Sequence, residues 1–544
     1  MLCSLKNFDC KCMLQEYLMA DRNMSIIPVG FSLMASFMSA ITLLGVSMEN
    51  YSFGTQFVII NVSYGIGTPI AAYGFLPVFY KLQATSAYEY LERRFGVVTR
   101  LAASFAFSLQ MILYMGIVLY APALALSAVT GISQLGALLS VGIVCTFYST
   151  IGGMKAVLIT DVFQSLLMFA AIFSVIVKGT IDAGGLYNVW KRAEEGGRIE
   201  FFNFNPDPTV RHTVWSLVIG GMFTFLSLYA VNQAQVQRLL TVRSLRRSQQ
   251  ALWLNWPILT CLSFSTSFTG LILPLFVMDS MGHIPGLAGL FVAGIFSGSL
   301  STVSSAVNSL AAVTMEDYIK PMLVHKECIP WSDKTNAVAS KILALFFGIL
   351  CIGMAFVAEN LGGVLQASLT IFGVVGGPLF GLFTLGMFFW IANETGALCG
   401  LASGLMVGLW IGFGGPKPPP PFLPTTTEGC NTTTMSSVFL NQTYEASSMI
   451  EKEDYFILYK LSYLWFVVIC FFVTLIVGIL ASVIQQKVKP LNQAPLDPNL
   501  LSPLIKRFIP VNSAMFLQVA TVDLNKGNFD SMNEASVNTT VTAL

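Results

Sequence analysis

Long apolar runs alternate along this chain with short polar stretches, and most runs approach the length of a bilayer crossing. A helix needs roughly 20 apolar residues to cross the hydrocarbon core. The pattern predicts twelve such spans: 25–46, 54–82, 99–129, 131–151, 156–181, 212–236, 250–279, 285–314, 336–358, 363–391, 394–414 and 457–484. Apolar residues occupy every helical face, as in helices surrounded by lipid or by one another. The eighth span is unusual. It carries "SGSLSTVSSAVNSLAA", Ser297 to Ala312, with six serines, Thr302 and Asn308 and no charge or proline. Ser297, Ser301, Ser304, Ser305 and Asn308 fall near one helical face, at spacings of three and four.

Two readings of that face stand. Its hydroxyls can close onto carbonyls one turn back and form a helix–helix seam. Neutral hydroxyl oxygens also suit Na⁺, provided the backbone carbonyls of a broken helix complete the shell. Other spans bear on the choice. Asp161 lies inside the fifth, where an unpaired carboxylate costs roughly 2.5–3.5 kcal/mol on insertion scales. It either pairs with Lys155 or caps a neighbour, or it serves as a cation ligand or relay, with Thr160 beside it. The first span is punctuated by Ser32, Ser36, Ser39 and Thr42 between Gly30 and Gly45. In the sixth, Gly220 and Gly221 weaken the helix, and Asn232, Gln233, Gln235 and Gln237 crowd one end. The tenth contains a flexible Gly-Gly-Pro, Gly376 to Pro378. Each taken alone reads as small-residue packing. Spans one and six, however, are the first members of two five-span halves, and broken helices at matching places point to an inverted-repeat transporter.

Composition narrows the classes. Of 544 residues, 55% are hydrophobic and 10% charged, with mean hydropathy +0.70, whereas soluble proteins carry about 25% charged residues. A net charge of +1 gives no electrostatic case for nucleic acid. The ten cysteines are scattered, several inside spans (Cys145, Cys261, Cys351, Cys470), so they read as free thiols; Cys10 and Cys12 lack a second pair to complete a metal site. His212, His283 and His325 all fall near span ends. Hydrolase, nucleotide-binding and metalloprotease motifs are absent, so no enzyme is expected. No signal-peptide pattern precedes the first span.

Basic residues set the expected orientation. Arg93, Arg94, Arg100, Lys155, Arg238, Arg243, Arg246, Arg247, Lys320, Lys326, Lys334, Lys341, Lys487, Lys489, Lys506 and Arg507 all fall on one side if the spans alternate, which puts both termini in the cytoplasm. The glycan sequons at Asn431 and Asn441 then lie outside, in loop 415–456; those at Asn23, Asn61 and Asn538 read as chance. The domain scheme is a cytoplasmic segment 1–24, a ten-span core 25–391, two further spans within 392–485, and a polar tail 486–544 expected to be disordered.

"ASFMSAITLLG", "YAPALALSAVTG", "CTFYSTIGGMKAVLITDVFQ", "VNQAQVQR" and "FSGSLSTVSSAVNSLAAVTMEDYIKP" resemble the sodium/solute symporter family, and the similarity runs from about residue 17 to 485. The resemblance implies an all-α polytopic membrane protein with a LeuT-type 5+5 inverted repeat and extra helices. It places a sodium site on the carbonyls of Ala35, Met38 and Gly298 and the hydroxyls of Ser301 and Thr302. Asp161 matches an acidic residue of the family tied to sodium coupling and a further cation site. Phe37 and Thr42 match substrate positions of sugar-carrying members, and the replacements here argue against a sugar. The implied function is sodium-driven import of a small organic anion at the plasma membrane. Vitamin carboxylates (biotin, pantothenate, lipoate) come first; a monocarboxylate such as lactate, nicotinate or a short-chain fatty acid is the alternative. A non-transporting relative and an ion channel are rivals from other classes. Na⁺ is the coupling ion, no other cofactor is expected, and the chain is read as a monomer in the lipid bilayer. Two departures stand out. The family has a helix before "LMADRNM" and a longer outer loop after "FTGLILPLFVMD".

Overall fold

The structure, a computed structural model, describes residues 19–83, 85–272, 284, 286–325, 331–358, 364–423, 455–488 and 496–506. Its elements are α1 (Ile26–Phe37), α2 (Ala40–Phe53), α3 (Thr55–Leu82), α4 (Glu89–Arg94), α5 (Val97–Thr130), α6 (Gln134–Thr150), α7 (Gly153–Asp182), α8 (Leu186–Glu195), α9 (Ser216–Tyr229), α10 (Gln233–Leu239), α11 (Leu245–Ile272), α12 (Leu287–Leu323), α13 (Asp333–Ala358), α14 (Val364–Phe388), α15 (Glu394–Phe413) and α16 (Trp465–Val488). Each of the twelve predicted runs holds a helix or a helix pair. Among the described residues, eight helices are long and apolar enough to cross a membrane, or ten when each bent pair counts as one span. The other two runs are α6, which is apolar but shorter, and α11, whose first turns carry Arg246, Arg247, Gln249 and Gln250.

The two bent pairs are the first and sixth spans. α1 and α2 meet at 59°, α9 and α10 at 63°. Polar caps make both breaks. Ser39 is extended (φ −88°, ψ 178°), and its hydroxyl accepts from the Ile41 amide at 3.1 Å to start α2. Asn232 is likewise extended (φ −70°, ψ 131°) and accepts from the Ala234 amide at 2.9 Å to start α10. The expected weak point at Gly220 and Gly221 is therefore corrected. Those glycines lie inside α9 and let neighbours come close: a Cβ on Gly220 would meet the Leu464 carbonyl at 2.4 Å, and one on Gly221 the Ser63 hydroxyl at 2.6 Å. Gly376–Gly377–Pro378 is also continuous helix, pressed against α16. α6 and α7 are parted at Gly153, whose φ of +61° suits glycine.

α12 packs on α7 and α5, α13 on α5 and α6, and α1 on α7 and α11. α14, α15 and α16 form a second group. The first half of the first span and the second half of the sixth share an end: the Met24 amide, just before α1, donates to the Thr241 carbonyl, just after α10, at 3.1 Å. Part of the tail is folded. Leu496, Leu500 and Leu501 are buried, and the Ser502 amide donates to the Met387 carbonyl at 3.0 Å. Tail residues 489–495 and 507–544, Cys10, Cys12, His283 and loop residues 424–454 with Asn431 and Asn441 lie outside the described residues. Cys145, Cys261, Cys351 and Cys470 are free thiols, as expected.

Candidate functional site

The break in the first span releases two carbonyls. In a continuous helix the amide of residue i+4 bonds the carbonyl of residue i. Here the Ser39 amide donates to the Phe37 carbonyl at 3.0 Å, and the Thr42 amide to the Ser39 carbonyl at 2.9 Å. The usual helical donors to Ala35 and Met38 have thus turned elsewhere. α12 meets this break through Gly298, where a Cβ would stand 3.0 Å from the Ala40 nitrogen and 3.1 Å from the Ser39 carbonyl carbon. Ser301 lies one turn further on. Its hydroxyl donates to Asp161 Oδ1 at 2.6 Å, and the Thr302 hydroxyl donates to the Gly298 carbonyl at 2.9 Å. Both protons are committed within the protein, so the oxygen lone pairs remain to face a cation. The five residues named for a sodium site and Asp161 are all buried, and α12 reaches both the break, through Gly298, and Asp161 on α7, through Ser301.

The rest of the serine face largely follows the seam reading. Ser297, Ser304, Ser305, Asn308 and Ser309 bond back to carbonyls three or four residues earlier, at 2.5–3.0 Å. Ser301 differs in reaching a carboxylate on another helix, and Ser299 reaches the Val118 carbonyl on α5 at 3.0 Å.

Arg238 changes the electrostatics. Its position in the sequence reads as one of the basic residues between spans, but it is fully buried in α10. Its Nη2 lies 3.6 Å from Asp161 Oδ2, its Nε donates to the Ser32 hydroxyl at 2.8 Å, and its Nη1 donates to the Ala234 carbonyl at 2.9 Å. It also donates to the Ser305 hydroxyl, and Ser32 donates to Asp161. The cation facing Asp161 is therefore Arg238. A buried carboxylate demands such a partner. That demand was the available signal, but a helix start at Asn232 was needed to turn Arg238 inward. Gln233 and Gln235 tie α10 to its surroundings, Gln233 to the Thr85 carbonyl at 2.9 Å and Gln235 to the Leu33 carbonyl at 3.4 Å.

Phe37 and Thr42 flank the break on opposite sides. Phe37 packs edge-on to Tyr64 and Tyr229, with ring centres 6.3 and 5.6 Å away. Thr42 is half-buried. Neither lines the cavity of about 760 Å³ that lies above the joint between α2, α5 and α14; Ile41 and Thr370 do. The far end of that cavity carries Glu49, Arg211 and Lys417. Arg211 donates to Glu49 at 2.7 Å and to Gln366 at 2.9 Å. His212, read only as lying near a span end, is buried 3.1 Å from the same carboxylate.

Two broken helices at matching positions, with released carbonyls and hydroxyls at one of them, define an ion-coupled secondary transporter. The sodium:solute symporter family model matches residues 17–279 and 269–404, and the chain belongs to that family. It is 55% identical over 491 residues to a Drosophila melanogaster protein provisionally named a sodium-dependent multivitamin transporter, covering 86% of this chain and 81% of that one. Sodium-coupled monocarboxylate transporter 1 of Homo sapiens is 44% identical over 505 residues (86% and 82% covered), and the sodium-dependent multivitamin transporter of Oryctolagus cuniculus 42% over 526 (91% and 81%). Among solved structures, an outward-open, substrate-bound Na⁺-coupled sialic acid symporter superposes with a TM-score of 0.70 at 24% identity, covering 86% of this chain and 92% of that one. The fold is thus the LeuT type, and the protein is a multi-pass, sodium-coupled symporter rather than an enzyme.

Proposed function

We propose that this symporter imports a small organic anion across the plasma membrane, with vitamin carboxylates such as biotin, pantothenate and lipoate as its substrates. The observation that carries the coupling mechanism is the joint itself: Ser301, bonded to Asp161, and Thr302, bonded to the Gly298 carbonyl, on the helix that meets a break whose Ala35 and Met38 carbonyls have lost their usual donors. Na⁺ there is held by those four groups and the Gly298 carbonyl, with Asp161 supplying negative charge beside it. Binding ties the first span to α12. Because this contact exists only when the two are docked, sodium favours the docked, outward-facing state by differential affinity. Both termini lie in the cytoplasm, loop 415–456 lies outside, and the chain acts as a monomer.

The substrate class rests on the similarity to multivitamin transporters. The 44% identity to a monocarboxylate transporter supports lactate-like anions as the second reading. Uptake of labelled biotin and labelled lactate into expressing cells, in sodium and in choline medium, separates the two. The proposal expects saturable biotin uptake that disappears in choline. Saturable, sodium-dependent lactate uptake without biotin uptake assigns the second reading, and no sodium-dependent uptake of either refutes both.

A further inference from the structure

The segment "PKPPPPFL", residues 416–423, runs along the mouth of the 760 Å³ cavity. Both ends are anchored. The Gly414 amide closes the end of α15 on the Trp410 carbonyl at 2.9 Å, and the Leu423 amide donates to the Ser52 carbonyl, in the last turn of α2, also at 2.9 Å. Phe422 stacks on Phe53 with ring centres 5.2 Å apart. Proline fixes φ near −65° and confines the residue before it to extended backbone. A stiff strap therefore presents Lys417, and the Lys417 side chain lines the cavity with its Nζ 4.6 Å from the centre of the Phe466 ring.

The two cations of this cavity differ. Arg211 is matched by Glu49 and Gln366 and caged by the Phe53 and Tyr463 rings. Lys417 has the Phe466 ring, and among the described residues no carboxylate pairs with it. Partial burial strips water from its ammonium and lowers it to about 8. A carboxylate docking there would restore what desolvation took away. Leu44, Met48 and Leu124 make the adjoining wall apolar.

We propose that Lys417 is the outer capture site for the transported anion: the carboxylate sits on its ammonium while the apolar chain lies along Leu44, Met48 and Leu124. This rests on the organic-anion reading and adds a specificity residue away from the sodium joint. A neutral amide of the same shape takes only a hydrogen bond from that ammonium, without the charge pairing, so Lys417 favours acids over their amides.

The test uses the full-length protein in cells, normalised to surface protein, with biotin as substrate, or lactate if that is the anion carried. Lys417→Gln should raise the half-saturation concentration about ten-fold or more, the scale of a hydrogen bond to a charged group. The maximal rate and the sodium activation curve should stay at wild-type values. Lys417→Arg should keep most of the affinity. The wild type should prefer the acid over its neutral amide as a competing ligand, and Lys417→Gln should lose that preference. Unchanged half-saturation in Lys417→Gln overturns the proposal, as does equal loss of acid and amide binding, which would mark a packing role. If the wild type carries neither anion with sodium, the organic-anion reading has failed, and the capture site with it.

Discussion

Replacing Arg238 with methionine removes the guanidinium from the centre of the bundle and leaves Asp161 buried without its cation. At the 3.6 Å separation of Nη2 and Oδ2, and an effective dielectric constant of about 20, such a pair is worth roughly 4–5 kcal/mol. Breaking buried pairs by removing one partner typically costs about 3–5 kcal/mol, because the survivor stays charged and unpaired. Arg238→Met also deprives the Ser32 and Ser305 hydroxyls and the Ala234 carbonyl of a donor. Adding Asp161→Asn removes the stranded charge, so the double variant should recover most of the loss. The assay is thermal stability of detergent-solubilised protein in choline buffer, read by gel filtration after heating. The expected order is Arg238→Met lowest, with Arg238→Met/Asp161→Asn close to wild type. Sodium should stabilise Arg238→Met more than wild type, since an added cation then answers Asp161. A double variant no more stable than Arg238→Met would refute the reasoning, and so would a single variant as stable as the wild type.

Two further outcomes follow from the same geometry and topology. Gly298→Ala places a methyl group 3.0 Å from the Ala40 nitrogen, so the break and α12 have to part by a few tenths of an ångström; the sodium concentration for half-maximal uptake should rise while surface delivery is retained. Enzymatic deglycosylation should shift the gel mobility of the wild type but not of an Asn431→Gln/Asn441→Gln double variant; a shift that persists in the double variant contradicts the assigned topology.

The membrane fold was legible because apolar runs dominate this sequence and a bilayer leaves few alternatives to helices. The joint proposed to hold sodium was legible only in part. The serine pattern singled out the eighth span, but periodicity alone cannot separate Ser301, which reaches Asp161, from Ser304 or Ser309, which bond back along their own helix. Glycine drew attention to Gly220 and Gly221, while the sixth span breaks at Asn232, where capping chemistry rather than backbone freedom decides. Arg238 was misread because an arginine near a span end usually marks a loop. Its burial depends on Asp161 and Ser32, which only the fold brings within reach. The cavity and its strap draw on α2, α5, α14 and α15, so no single segment announces them.

The central claim is that hydroxyl oxygens at the joint of the first span and α12 hold the coupling sodium. Thr302 tests it most cleanly, because its hydroxyl proton goes to the Gly298 carbonyl of its own helix rather than to Asp161. The measurement is uptake at fixed substrate against sodium concentration, normalised to surface protein, for Thr302→Ala and Thr302→Ser beside the wild type. Losing one oxygen from the shell costs about 1.5 kcal/mol, on the scale of a hydrogen bond to a charged group, which is roughly a ten-fold rise in the sodium needed. Thr302→Ala should show that rise, and Thr302→Ser, which keeps the oxygen, should stay near the wild-type curve. A wild-type sodium curve in Thr302→Ala would contradict the account and leave the serine face of α12 as a packing seam.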